Sequence, residues 1–454
     1  MSQIAAATAR LGDFVTDASP PGDARTRAAI AVLDTVGVTL AGASEPASLI
    51  VRHVVEDEGG DACTVFGTRV RASMSGAALA NGTAAHALDY DDMCFVSLAH
   101  PSAPLAPAIL AAAESARLTG RAVLDAYVIG FEIEARLGRL MNPRHYQRGW
   151  HCTSTLGTLG AAAAVSRLLG LDATAAGHAL AIAASEASGL KENFGTMVKP
   201  LHAGLAARNG VLAALLAKAG MTASERALDG PQGFLHALDS EGAGLDRAIA
   251  DLGARWEIVD TGITVKLYPS CAGTHPSLDA ILDLRRRERF TADDVERIDV
   301  DVDAIVPTIL IYDRPATGLE GKFSLPFCAA AAVVFGRVGI DTFEAASLTN
   351  PAVASLMPRV AMRVDSSLDA GAPPLTQARV HIKLLDGRVL TQHASGARGY
   401  PAQPASDDEL DAKFLACAGR ALSEAACRRA LELLRRLDTL DDMRTLTGVL
   451  GETR

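Results

Sequence analysis

Long stretches of this 454-residue chain carry alanine and glycine at helical spacing, which narrows its possible folds more than any other feature. Gly157, Gly160 and the alanines at 161–164 are the clearest case. Helices with so little side chain on their faces let neighbouring backbones approach closely, and alanine has the highest intrinsic helix propensity. Only 4% of the residues are aromatic, too few for an aromatic-rich β-sandwich. A tight helical core is the economical solution.

Between 24 and 43 apolar residues recur with helical period (Ala28, Ile30, Leu33, Val36, Val38, Leu40) and stop at Gly42. Similar patterns predict helices over 75–88, 103–118, 121–140, 155–169, 173–187 and 201–219. Asp172 and Thr222 are expected N-caps, the latter with Glu225 three residues on. The pattern changes near Gly262. Residues 295–302 read V-E-R-I-D-V-D-V, the period-two signature of a half-buried strand. Strands are also predicted over 360–364 and 378–385, the latter followed by Asp386-Gly387 and a second run over 388–393, a hairpin signal. Helices are predicted between them over 277–287, 324–338 and 343–357, the last interrupted by Pro351. After 399–404 the chain returns to helix, opening on the capping box Ser406-Asp407-Asp408-Glu409, with an amphipathic run over 421–437. The expected fold is therefore mainly α with a smaller α+β domain. A helical domain (1–264) is interrupted by the α+β domain (265–397) and completed by 398–454.

The formal net charge is -10 and no long basic run exists, which argues against a nucleic-acid partner. An anionic substrate would need a local basic pocket opposing that global field. No uncharged run of about 18 apolar residues is available to span a membrane. The first residues, with Asp13 and Asp17, do not resemble a signal peptide. Seven scattered cysteines without a C-x-x-C pair suit free thiols, and the expected location is the cytoplasm. G-x-x-x-x-G-K-[ST], G-x-G-x-x-G, G-x-S-x-G and H-E-x-x-H are all missing, so nucleotide, serine-hydrolase and zincin chemistries have no support.

The chemistry lies in polar breaks between helical stretches. They hold Asp89, Asp91, Asp92 and His100; Arg144 to His151; Lys199-Pro200-Leu201-His202; Lys266 to Cys271; and Glu320 to Ser324. His100 and His151 each stand at a loop-to-helix junction, where an imidazole can serve as acid or base near neutral pH. A capping role is the ordinary alternative for one such histidine; two at equivalent junctions favour function. Asp89, Asp91 and Asp92 suit the orienting of a histidine better than a hard cation, which wants six or more oxygens; no metal is expected. Lys199 and Lys266 can clamp carboxylates and stabilise an enolate, against the commoner fate of a snorkelling lysine. Arg148 offers a bidentate grip beside Tyr146, and Cys271 is a candidate thiol acid/base, although buried structural cysteine is the usual outcome. His86 and His202 fall inside helical runs and read as structural.

Taken together, H-A-L-D-Y-D-D…H-P-S, G-W-H-C-T-S-T-L-G-T-L-G-A-A-A-A, N-F-G-T-M-V-K-P-L-H-A-G, L-D-G-P-Q-G-F and K-L-Y-P-S-C-A-G-T-H-P resemble the MmgE/PrpD family over nearly the whole chain. That family includes 2-methylcitrate dehydratase, cis-aconitate decarboxylase and iminodisuccinate epimerase. The resemblance implies a discontinuous helical domain with an α+β lid domain, a homodimer, and cofactor-free chemistry in the cleft between domains. It assigns Asp89, His100, His151, Lys199 and Lys266 to the active site. It also places Cys271 where the decarboxylase has a histidine, Met93 where it has a threonine, and Pro326 near one of its tyrosines.

The expected activity is removal of a proton next to a carboxylate. His151 or His100 is the base, Asp89 orients a histidine, and Lys199, Lys266 and Arg148 grip a small anionic carboxylate. Dehydration of a 2-methylcitrate-like hydroxy polycarboxylate is the first expectation and epimerisation of a dicarboxylate such as iminodisuccinate the second. Decarboxylation and an idle binding protein follow.

Overall fold

The computed structural model describes residues 7–238, 244–369 and 376–454. The chain forms two compact units: Met1–Ala87 with Asp91–Ile263 and Ser406–Arg454, and Leu88–Tyr90 with Thr264–Ala405.

The first unit is helical. Its elements are α1 (Ala7–Asp17), α2 (Gly22–Gly42), α3 (Pro46–Glu58), the short antiparallel pair β1 (Cys63–Thr64) and β2 (Arg71–Ala72), α4 (Met74–His86), α5 (Ser102–Ala116), α6 (Gly120–Met141), α7 (Cys152–Leu168), α8 (Ala173–Glu186) and α9 (Val198–Lys218). The small-residue faces do what their composition suggests. A Cβ on Gly82 of α4 would lie 2.9 Å from the Cα of Gly204 in α9. One on Gly130 of α6 would come within 2.6 Å of the Gly160 carbonyl oxygen in α7. Alanine at either position would force the helices apart. Nearly all of α7 is buried as a result, and the ends of α4, α7 and α9 meet.

The second unit contains α10 (His275–Glu288), β3 (Val295–Val302), α11 (Leu325–Phe335), β4 (Val360–Val364), β5 (Ala378–Leu384) and β6 (Val389–Ala394). Its sheet has the order β4-β3-β5-β6, parallel between β3 and β4 and antiparallel elsewhere. Ile298, Val300 and Val302 pair with Ile382, Val380 and Ala378, and all six are buried. The period-two pattern thus supplies one apolar face, which α10 and α11 cover. Asp386-Gly387 closes the hairpin, with Gly387 at φ +92°.

The chain then returns to the first unit as α12 (Asp407–Ala418), α13 (Glu424–Arg435) and α14 (Arg444–Leu450). Ser406 and Glu409 form the expected capping box. A buried ion pair, Lys413 Nζ to Asp34 Oδ1 at 2.6 Å, ties α12 to α2. Backbone bonds from Gly67 to Leu450 and from Gly120 to Leu440 fix the rest of the tail. The return begins at Ser406 rather than 398. Residues 399–403 belong to the second unit, where Val265 N–H bonds the Gly399 carbonyl and Tyr400 hydroxyl meets Thr376. Asp172 caps α8 as expected, accepting from Ala175 N–H at 2.8 Å. Thr222 caps nothing: after α9 the chain makes turns, in which Ser224 Oγ accepts from Arg226 N–H. Among the described residues no single helix is long and apolar enough to cross a membrane.

Candidate active site

Three helix starts and one helix end in the first unit carry its chemistry. His86 is the last residue of α4, His100 stands two residues before α5, His151 is the N-cap of α7, and Lys199 lies in the first turn of α9 with His202 one turn further on. Backbone bonds hold these junctions together: His100 N–H donates to Thr153 Oγ1 at 3.0 Å, and His151 N–H to the Gly189 carbonyl at 2.9 Å. The rings form a contiguous set. His86 is 4.6 Å from His100 and 5.6 Å from His151 between centroids, His151 is 5.2 Å from His202, and Phe194 meets His151 edge-on at 4.9 Å.

One carboxylate organises two of these imidazoles. Asp91 Oδ2 lies 2.8 Å from His86 Nδ1 and 3.3 Å from His100 Nδ1. Burial would raise the Asp91 carboxyl, yet the two histidines hold it well below the usual range. An ionised Asp91 can only accept, so its hydrogen bond fixes the Nδ1–H tautomer of His86. His86 Nε2 is buried without a hydrogen-bond partner among the described residues. Burial, with the positive charge of Lys199 adding to it, lowers His86 to about 4 even against the pull of Asp91. Burial likewise lowers His151 well below its ordinary value, helped by His86 and Lys199. Burial thus keeps both imidazoles neutral at pH 7.

Asp92 has a different task. Its Oδ1 accepts from Ser102 N–H at 3.2 Å, and its Oδ2 meets Ser102 Oγ, which in turn meets the Tyr127 hydroxyl. Asp92 therefore clamps the loop carrying His100 to the first turn of α5. Burial lifts its carboxyl to about 8.

In the second unit Lys266 Nζ donates to the Asp89 carbonyl at 2.9 Å and to Asp89 Oδ2 at 3.1 Å, with both side chains buried. Asp89 sits at φ +51°, a conformation costly for a residue with a Cβ. Lys322 Nζ donates to the carbonyls of Leu88 and Pro269. Cys271 is buried, and its N–H bonds the Lys322 carbonyl at 3.0 Å.

Several expectations change in this light. The carboxylate 2.8 Å and 3.3 Å from two imidazole nitrogens is Asp91, and Asp89 is paired with Lys266. His86 and His202, read as structural, touch His100 and His151. Tyr146 lies under the ammonium of Lys191, 3.5 Å from its ring, and Arg148 is exposed at the end of the short Arg144–Gln147 helix. The His86, Asp91 and His100 donors are the chemistry a divalent ion would want. His86 Nδ1, however, is hydrogen-bonded to Asp91 Oδ2, with His100 Nδ1 3.3 Å from the same oxygen, an arrangement that suits an oriented imidazole.

A helical unit with clustered neutral imidazoles and an oriented carboxylate, interrupted by a small α+β unit, defines an acid/base enzyme of MmgE/PrpD architecture. Residues 9–244 match the MmgE/PrpD N-terminal domain and residues 268–439 the MmgE/PrpD C-terminal domain. The chain belongs to the MmgE/PrpD family. It is 29% identical over 471 residues to the cis-aconitate decarboxylase-like protein oryM of Aspergillus oryzae (strain ATCC 42149 / RIB 40), covering 98% of this chain and 97% of that protein. It is 28% identical to cis-aconitate decarboxylase of Homo sapiens (92% and 88% covered) and 27% identical to that of Aspergillus terreus (95% and 92%).

Proposed function

We propose that this protein is an acid/base lyase that removes a proton from the carbon next to a carboxylate of a small polycarboxylate. The observation carrying this reading is the run of contacting imidazoles, two of them held on Asp91, with His86 and His151 kept neutral by burial. A carbon acid of this kind is weak, so catalysis must stabilise the developing dianion and provide a base that is unprotonated at neutral pH.

Lys199 supports the anionic substrate class. It lies buried in the first turn of α9, one turn before His202, with its Nζ 5.3 Å from the centroid of the Phe194 ring. An ammonium at a helix start can accept a substrate carboxylate and share the negative charge of an enolate intermediate. In this scheme His151 Nε2 takes the carbon-bound proton. His100, its Nδ1 side facing Asp91, can carry a second proton on Nε2 and deliver it to the leaving hydroxyl. The C–O bond breaks, water departs and an alkene forms. Dehydration of a hydroxy tricarboxylate such as 2-methylcitrate is the finer reading, supported by Met93 and Cys271 standing where the resemblance puts a decarboxylase's threonine and histidine. Kinship over most of its length with cis-aconitate decarboxylases supports a second reading, loss of CO2 from the same enolate-forming scaffold.

Proton NMR in heavy water with 2-methylcitrate, cis-aconitate and iminodisuccinate separates these outcomes. The expected result is an alkene from 2-methylcitrate. CO2 release from cis-aconitate would replace dehydration by decarboxylation, and deuterium with inverted configuration and no alkene would make the enzyme an epimerase. No exchange with any of the three sinks the proton-abstraction reading for these substrates.

A further inference from the structure

His202 makes a contact with His151 that a structural histidine has no need of: the two Nδ1 atoms face each other at 3.0 Å. Neither nitrogen can be hydrogen-bonded unless one ring carries its proton on Nδ1 and the other does not. The ring that donates is left with a bare Nε2. The ring that accepts must hold its proton on Nε2. So the pair fixes opposite tautomers, and the choice decides whether His151 presents a base or an acid.

We infer that His202 is a positioning residue and proton outlet for His151, accepting the Nδ1–H of His151 so that His151 Nε2 is the free base. This deepens the acid/base reading above and rests on it. When His151 Nε2 takes a proton from carbon, its ring becomes an imidazolium. The Nδ1 proton then crosses to His202 Nδ1. His151 is left neutral with its proton on Nε2, and His202 holds the positive charge with protons on both nitrogens. One proton enters and one moves on, so no other co-reactant is required. The reverse transfer returns the imidazolium to His151, and release of its Nε2 proton to the departing product or to water then restores the base.

The surroundings suit this division. Both imidazoles are buried, His151 at 1% exposure and His202 at 5%. His151 is packed by His86 and Phe194, and His100 and Lys199, the latter one turn before His202 on α9, act on it through their charge. Three further basic groups around His151 make a lasting imidazolium there costly. His202 faces fewer: burial lowers it to about 4, and Lys199 is the charge that adds to this. Its position is fixed independently of its ring, since its backbone carbonyl accepts from Ser154 Oγ at 3.2 Å. A side chain at Gly189, which adopts φ +134°, would strike Ser154 at 2.7 Å and reach the His202 ring at 3.5 Å. The small residue there leaves room for Ser154, whose hydroxyl holds the His202 carbonyl.

The test is nitrogen NMR of the full chain labelled with 15N-histidine, with His202→Asn and His151→Gln variants for assignment. Asparagine places an amide near the position of Nδ1 but cannot accept a proton. The expected pattern is a protonated Nδ1 and bare Nε2 on His151, and the reverse on His202. In His202→Asn, kcat should fall about 100-fold while KM stays within about threefold. The opposite tautomer pattern in the unaltered protein, or a folded His202→Asn enzyme with unchanged kcat, overturns the inference. The NMR pattern requires no turnover, so it stands or falls separately from the lyase reading. Either variant is enough to assign the pair, so the tautomer pattern can still be read in the unaltered protein if His202→Asn does not fold.

Discussion

The two units treat buried charge in opposite ways. At the helix junctions of the first unit titratable groups are left without a counterion in place: burial keeps His86, His151 and His202 neutral, Asp91 lies against His86 and His100, and His86 Nε2 has no hydrogen-bond partner among the described residues. In the α+β unit the buried cations are quenched, Lys266 by the Asp89 carboxylate and carbonyl and Lys322 by two backbone carbonyls. A buried charge with its counterion in place holds structure together; a buried base without a proton can do chemistry. The comparison fits the proposal that proton transfer belongs to the first unit, while Lys266 and Lys322 hold the loop around Asp89 in the second.

The largest effect should come from the centre of the helical unit. His151→Gln should lower the rate of substrate α-proton exchange by about 1,000-fold with little change in melting temperature. Retained exchange would move the base elsewhere and break the comparison at its strongest point. The quenched cation should behave in reverse. Lys266→Met leaves Asp89 ionised and buried, and should destabilise by about 3–5 kcal/mol in denaturant titration. Lys266→Met with Asp89→Asn should recover much of that. If the single variant unfolds normally but cannot bind substrate, Lys266 is part of the site and not merely a tie.

Asp91→Asn should then cost about 100-fold in kcat, because an amide can present a donor to His86 or His100 and favour the wrong tautomer. The pH responses are smaller and differ in sign. His86 and His202 titrate near 4 when folded and near 6.5 when unfolded. The unfolded chain thus binds more protons between those values, and their contribution to stability is lost as pH falls from 6.5 towards 4. Asp92 runs the other way. With its folded value raised to about 8, the folded chain binds the extra proton, and stability declines as pH rises from about 4 through 8. Between pH 7 and 8 that slope should approach 1 kcal/mol per unit and vanish in Asp92→Asn, as measured by melting temperature.

Much of the architecture could be read from spacing. The alternation in 295–302, the Asp386-Gly387 turn and the Ser406 capping box each specify local structure through nearby residues, and each forms. Thr222 failed because a capping box needs a following helix to cap, and Gly220, at φ +94°, has already turned the chain. Within the site, His100 and His151 stood out because a histidine beside a helix start is visible in one dimension. His86 and His202 were hidden by the helical runs around them. One signal was present: Lys199 and His202 are three residues apart, so a single helix face carries both.

What the amino acids decided alone was the period of each segment, the small faces that allow close packing, and the junctions where polar groups collect. Only the tertiary structure decided which of three neighbouring aspartates meets which partner. Asp89, Asp91 and Asp92 lie within four residues, yet one neutralises a lysine, one orients two histidines and one clamps a serine. Their chemistry is identical in the chain. It diverges because a few ångströms of backbone path place each carboxylate against different groups, and in a dry interior the nearest partner fixes its charge.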